Sequence, residues 1–331
     1  MERVVAIILI ICLNSCQKDE YFGPVYPSNS DEVSITPGNL IYIGCEGNFQ
    51  FNNASLSVFN LEDETIQNDI YKRTNNKQLG DVLQSIIHHG DSLFLVINNS
   101  GLIRILNDST FEELAIIEGF NSPRHMLMLN DKKALVSDFG GGALSVVDLV
   151  SNSITNQIQA PEWTERMVLI DDMIYISNMK DSSILIIDAL SFEKIDEIQL
   201  SIEPSYLFSL DHKLVIAGNA KKGAKLISFV KSGALETLAE FNNRISGSAL
   251  YDSVGYFLLN NTVKMINLRS QNEGQFSHTA QTPYSLYVDE SGIYISDVID
   301  YLSRGKVLRY DASSQLIQEL ETGLIPQVIL R

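Results

Sequence analysis

Two arginines stand in matching contexts, Arg124 in SPRHM (122–126) and Arg166 in TERMV (164–168). A guanidinium presents a planar fork of donors that fits carboxylate or phosphate in a bidentate way. The pair therefore suits an anionic ligand, or else it pairs internally with carboxylates such as Asp81, Asp138 or Asp297. A second set of oxygen-bearing residues, Glu46, Asn98, Asp138, Asn178, Asn219, Asn260 and Asp297, recurs near the ends of similar apolar stretches. Hard oxygens of this kind can ring a Ca²⁺ ion, and Asp or Asn in the same places can instead cap turns through backbone N–H groups. Glu46-Gly47-Asn48 allows two roles as well, a ligand-contacting corner or a tight turn that only glycine permits.

Machinery for bond cleavage is missing from the sequence. There is no G-x-S-x-G elbow for a nucleophile and no H-E-x-x-H helix for zinc. The five histidines are dispersed, and the adjacent His88 and His89 lie on strand-like sequence, where successive side chains point to opposite faces. His125 reads as packed or solvated. The glycine run at 140–142 has neither a following lysine nor a helix, so it is a hairpin turn rather than a phosphate loop. Cys45 reads as a small buried hydrophobe. These residue types favour a binding protein over an enzyme.

The elements that must position these residues show themselves as a repeat. A short apolar strand begins at Ile41, Phe94, Ala134, Ile174, Leu214, Tyr256 and Ile293, at intervals of 37 to 53 residues with three of them at 40. Another alternating strand follows each one, SLSVFNL at Ser55 and ALSVVDL at Ala143 among them. Period-2 alternation with β-branched residues marks half-buried strands, and strand-rich units near 40 residues mark a β-propeller. An additional strand precedes six of the units, often opening on proline, as in SPRHMLML, EPSYLFSL and TPYSLYVD. The first unit lacks such a strand. The segment LIPQVILR (324–331) has the missing shape, with Pro326 placed like Pro123, Pro204 and Pro283. The expected fold is all-β, a seven-bladed β-propeller whose ring closes when this last strand pairs beside residues 40–44 and removes the open sheet edges.

In such a ring the start of each inner strand and the end of each second strand share one rim. The inner-strand starts bring Asp81, Arg124, Arg166, Tyr206, Tyr284 and Gln327 to that face. The second strands bring Glu46, Asn98, Asp138, Asn178, Asn219 and Asp297. The loops beyond them add Asn48, Phe49, Phe139, Tyr301 and Arg304, and Trp163 precedes the fourth inner strand. Aromatic surface beside a few oriented polar groups is the composition of a ligand face, and both corrinoids and sugars suit it.

With 45% hydrophobic and 20% charged residues the chain has a globular composition rather than a disordered one. Its formal charge of -17 argues against a nucleic-acid partner. Residues 4–13 (VVAIILIICL) are apolar throughout but make up only half of the roughly 20 residues a spanning helix needs, as in a signal-peptide core. The next residues, LNSC (13–16), resemble a lipobox, which implies cleavage before Cys16 and lipidation of its thiol. QKDE (17–20) resembles the acidic export tag of Bacteroidetes surface lipoproteins, which implies an outer-membrane, cell-surface location with the lipid as the only membrane attachment. Cys12 would leave with the signal, so Cys45 has no disulfide partner. The expected organisation is a signal peptide over 1–15, a lipidated tether over 16–37 and the propeller over 38–331.

CEGNF (45–49), LGDVLQSI (79–86), NNSGLIRIL (98–106), SPRHM, TERMV and TPYSLYVD with IYISDVIDYLSRGKVLRYD (293–311) resemble the Bacteroidetes surface propeller lipoproteins. These are akin to the YncE-like propellers with Tyr-Val-Thr-Asn repeats. The resemblance covers about the whole mature domain and includes surface propellers that bind cobalamin. It implies a small-molecule ligand of cobalamin type, or a glycan, and a TonB-dependent outer-membrane transporter as partner. Cys45 departs from the family pattern, which commonly has Asn before Glu-Gly-Asn. The alternatives are a hydrolase of the propeller-lactonase kind with Ca²⁺ held in the channel by Glu46, Asn98, Asn178, Asn219 and Asp297, or a scaffold for proteins or glycans. No other cofactor is expected.

Overall fold

Short alternating apolar runs bounded by Gly, Asn and Asp turns can bury both faces only if sheet packs on sheet. In the computed structural model, which describes Ile35, residues 39–229 and residues 233–331, they do so as seven four-stranded antiparallel sheets arranged in sequence. The signal segment, Cys16 and the tether apart from Ile35 lie outside the described residues.

Each sheet is a blade, and its first strand lines the axis. The inner strands are Pro326–Leu330 for blade 1, then Leu83–His89, Pro123–Asn130, Thr164–Ile170, Glu203–Leu210, Gly247–Tyr251 and Pro283–Asp289 for blades 2 to 7. The expected closure is present. Pro326–Leu330 pairs antiparallel with Leu40–Cys45, setting Leu330 opposite Tyr42, Ile329 opposite Ile43 and Val328 opposite Gly44.

The core lies in the wedges between blades. Second and third strands are buried on both faces, as in Ser55–Asn60, while outer strands such as Ser153–Gln159 are largely exposed. Tyr42, Leu56 and Val58 of blade 1 pack on Leu83, Leu93 and Leu95 of blade 2. The closing wedge joins Ile41, Ile43, Phe59 and Ile329 to Tyr294, Val307 and Leu320 of blade 7. Each fully buried aliphatic side chain contributes roughly 1.5–3 kcal/mol, so one broken wedge removes a large part of a domain's net stability.

One element departs from the sequence-based expectation. The outer strand of blade 1 has only three residues, Thr65–Gln67, and is followed by a short helix, Ile70–Asn75. Ile70 and Tyr71 are its buried residues, and the Tyr71 hydroxyl donates to Glu113 at 2.6 Å. Six residues carry too few apolar positions to show a 3.6-residue period.

Candidate functional site

The inner and second strands meet at a shared rim, with Pro123 opposite Asp138, Thr164 opposite Asn178, Glu203 opposite Asn219 and Pro283 opposite Asp297. Just inside that rim every one of these ladders slips. Arg124 and His125 face the single Ser137, Glu165 and Arg166 face Ser177, and Tyr284 and Ser285 face Ser296. In blades 1 and 2 the extra residues are Gln327 and Gln84. A bulge re-aims the side chains it carries, and this one recurs at one depth in every blade but the sixth, where Gly247–Tyr251 pairs without a slip.

The serines opposite the bulges hold them in shape. The hydroxyls of Ser137, Ser177 and Ser296 accept the N–H groups of His125 (3.1 Å), Arg166 (3.0 Å) and Ser285 (2.7 Å). In blade 5 the position is Gly218, where an added Cβ would lie 2.1 Å from the Glu203 carbonyl oxygen.

At this depth the axial channel, a cavity of about 600 Å³, is lined by Gln84, His125, Arg166, Tyr206, Tyr284 and Gln327. Arg124 and Glu165 stand one residue nearer the mouth. Arg124 Nε donates to Glu165 Oε1 at 2.8 Å and its Nη1 to Gln84 Oε1 at 2.5 Å. Trp163 Nε1 donates to the same Glu165 oxygen at 2.8 Å. His125 lies 3.6 Å from Glu165, but burial, followed by the charges of Arg166 and Arg124, holds its pKa well below the usual histidine value, so it is neutral. The Arg166 guanidinium sits over the Tyr206 ring at 5.7 Å, and no hydrogen-bond acceptor reaches it among the described residues. It touches solvent inside the channel, yet the enclosing walls lower its pKa.

On the opposite side of the mouth, Tyr284 Oη donates to Glu46 Oε1 at 3.2 Å. Burial pushes the Glu46 carboxyl up to about 7, against the pull of that hydrogen bond and of the Arg124 charge. Glu46 and Gly47 also donate backbone N–H groups to Ile325 and Leu324, which fixes their corner against the closing strand. Gly47 has φ +73°, and an added Cβ would lie 2.4 Å from Asn53 Oδ1, so the turn requires glycine.

Aromatic residues surround the opening. Phe139 and Trp163 meet edge to face at 5.1 Å and are 45% and 37% exposed. Phe49 and Phe51 are exposed on the blade 1 loop, and Tyr301 stands edge-on to Tyr284 at 6.3 Å. Asn48 Nδ2 ties that loop to the Tyr301 carbonyl at 2.9 Å, and Asp81 ties it to blade 2 by accepting Gln50 N at 2.8 Å and Asn99 Nδ2 at 2.5 Å.

Other expected site residues are engaged in holding the ring. Asp138 accepts four backbone N–H groups, from Asn121, Ser122, Gly140 and Gly141, and Asp297 accepts those of Gln281, Thr282 and Ile299. Asn98 donates to the Pro123 carbonyl, Asn178 accepts Asp181 N, and Asn219 exchanges two bonds with the Ile245 backbone. Arg304 lies outside the channel lining and pairs with Asp69 at 3.1 Å. The partners expected for the two arginines are corrected accordingly. Asp81, Asp138 and Asp297 do not pair with them, because backbone and amide donors hold those carboxylates. No group of three or more His, Cys, Asp or Glu placed to hold a metal ion occurs among the described residues.

Sequence reasoning missed Gln84 and His125 as members of the channel layer and Glu165 as the partner of Arg124 at its mouth. A signal was present in the Ser-Asp and Ser-Asn pairs at 137–138, 177–178 and 296–297, which close the second strands opposite the bulges.

The molecule is similar to several solved propellers at identities that carry the fold alone. One is a quinonprotein alcohol dehydrogenase-like protein from Bacteroides thetaiotaomicron, with TM-score 0.68 and 14% identity, covering 88% of this chain and 77% of that one. A functionally unknown protein from Desulfotomaculum acetoxidans matches with TM-score 0.69 and 14% identity, over 88% of this chain and 98% of that one. A putative 6-phosphogluconolactonase from Bacteroides fragilis matches with TM-score 0.65 and 12% identity, over 92% and 100%. No curated protein matches the sequence. Residues 39–327 match the family described as Domain of unknown function (DUF5074), and the chain belongs to that family.

Proposed function

We propose that this protein is a ligand-binding lipoprotein of the outer cell surface, anchored through Cys16, that takes a flat amphipathic ligand over the mouth of its channel. The observation that carries this reading is the ring of exposed Phe49, Phe51, Phe139, Trp163 and Tyr301 around an opening whose wall carries oriented polar groups. Apolar rings supply area, and hydrogen-bonding groups fix orientation. A cobalamin-type corrinoid fits that requirement, having a planar macrocycle fringed with amides and a phosphodiester. The signal-like LNSC and the QKDE tag support the location, and a TonB-dependent transporter is the partner to which such a ligand would pass. The mouth uses its carboxylates and serines to hold bulges and turns, which supports binding without catalysis.

Equilibrium dialysis against cyanocobalamin tests the ligand. Saturable retention at micromolar protein supports it, and none removes the corrinoid. Cys16→Ala tests the anchor separately, since the variant should leave the membrane fraction and wild type should remain in it.

A further inference from the structure

Arg166 lines the channel with no hydrogen-bond acceptor on its guanidinium among the described residues. Its chain neighbour Glu165 is engaged by Arg124 and Trp163 at 2.8 Å each, and its own contact is the Tyr206 face at 5.7 Å. A guanidinium carries five donors in a fixed fork. Water in the channel can satisfy them, but the site is then organised for something that accepts. The guanidinium itself lines a cavity of about 600 Å³ together with Gln84, His125 and Tyr206. Donors that meet no acceptor inside an enclosed channel are free to hold a ligand group that accepts.

The charges around the channel favour an anion. Arg124 and Arg166 face one fully committed carboxylate, Glu165, while His125 is neutral and Glu46 lies across the mouth held by Tyr284. The surplus is local, because the chain as a whole carries -17. Long-range steering would repel an anion, so the attraction exists only for a group already inside.

We propose that the channel receives an anionic group, a carboxylate or a phosphate, at the Arg166 guanidinium, with Tyr206 against its flank. The proposal deepens the ligand reading above: the ligand lies on the aromatic mouth and sends an acidic arm into the channel.

The test follows the arginine Nε–Hε resonances of the whole domain while inorganic phosphate or sodium benzoate is added at constant ionic strength. The expected result is a saturable shift of the Arg166 resonance below about 50 mM anion, with the Arg124 resonance moving less. Response to phosphate alone assigns a phosphate arm, to benzoate alone a carboxylate arm, and to both a general anion site. Arg166→Gln, checked for an unchanged circular dichroism spectrum, should weaken anion binding about tenfold or more. An Arg166 resonance that neither anion moves, or an Arg166→Gln variant that binds as wild type does, overturns the proposal. Because the probes are simple anions, failure of cyanocobalamin to bind would remove the corrinoid while leaving this result standing.

Discussion

Glu46 is the residue at which mouth chemistry and stability meet. Its folded pKa is raised to about 7 from 4.5, mainly by burial, so the fold prefers the neutral acid. Below the unfolded value both states are protonated and Glu46 has no effect on stability. Between 4.5 and 7 stability falls as pH rises, because ionisation is favoured in the unfolded chain, and above 7 the loss is constant at up to roughly 3 kcal/mol. Glu46→Gln should therefore raise the melting temperature at pH 8 and change it little at pH 4. A variant with an unchanged pH profile would place the titration elsewhere. Ser177 is the second test at this scale. Its hydroxyl accepts Arg166 N–H at 3.0 Å in a fully buried position, so Ser177→Ala should cost about 1–3 kcal/mol in urea unfolding. Gly47→Ala should cost at least about 1 kcal/mol, since it combines positive φ with a clash against Asn53. Cys45 is buried with its thiol pushed up to about 11, so mass spectrometry should find it unalkylated in native protein and alkylated after denaturation.

At the scale of elements, the closing strand carries the most weight. Ile329 packs with Ile41, Ile43 and Tyr294, and the Leu324 and Ile325 carbonyls accept the N–H groups of Gly47 and Glu46. Truncation after Gly323 should remove the cooperative thermal transition of the whole ring rather than of blade 1 alone, and a truncated chain with the wild-type melting curve would refute the closure. This element was legible in sequence because LIPQVILR repeats the proline and alternation of the other inner strands. The second strands were legible for the same reason, a clean period of two. The helix at 70–75 was not, since its burial rests on two adjacent residues that fit no period. Nor were the bulges, because a slip of one residue leaves the alternation on either side intact and exists only between paired strands. The candidate site was therefore half visible. Arg124, Arg166, Tyr206, Tyr284 and Gln327 could be named from their places at strand starts, while Glu165 emerged only when the bulge set it beside Arg124.

For the whole molecule, the seven repeats serve two ends. Asx residues at the ends of second strands lock turns and neighbouring blades, and the residues beside them are released to form the mouth. Blades 1, 3, 4 and 7 supply the exposed aromatics, and the channel layer draws on all seven inner strands. A ligand spanning that mouth would cover Trp163, the only tryptophan in the sequence. The most direct measurement is a calorimetric titration of wild type and Trp163→Ala with cyanocobalamin, run side by side. The account predicts saturable heat for wild type and an affinity about tenfold lower or worse for a folded Trp163→Ala. Equal affinity in the two proteins would contradict the placement of the site, and no heat from wild type would contradict the ligand.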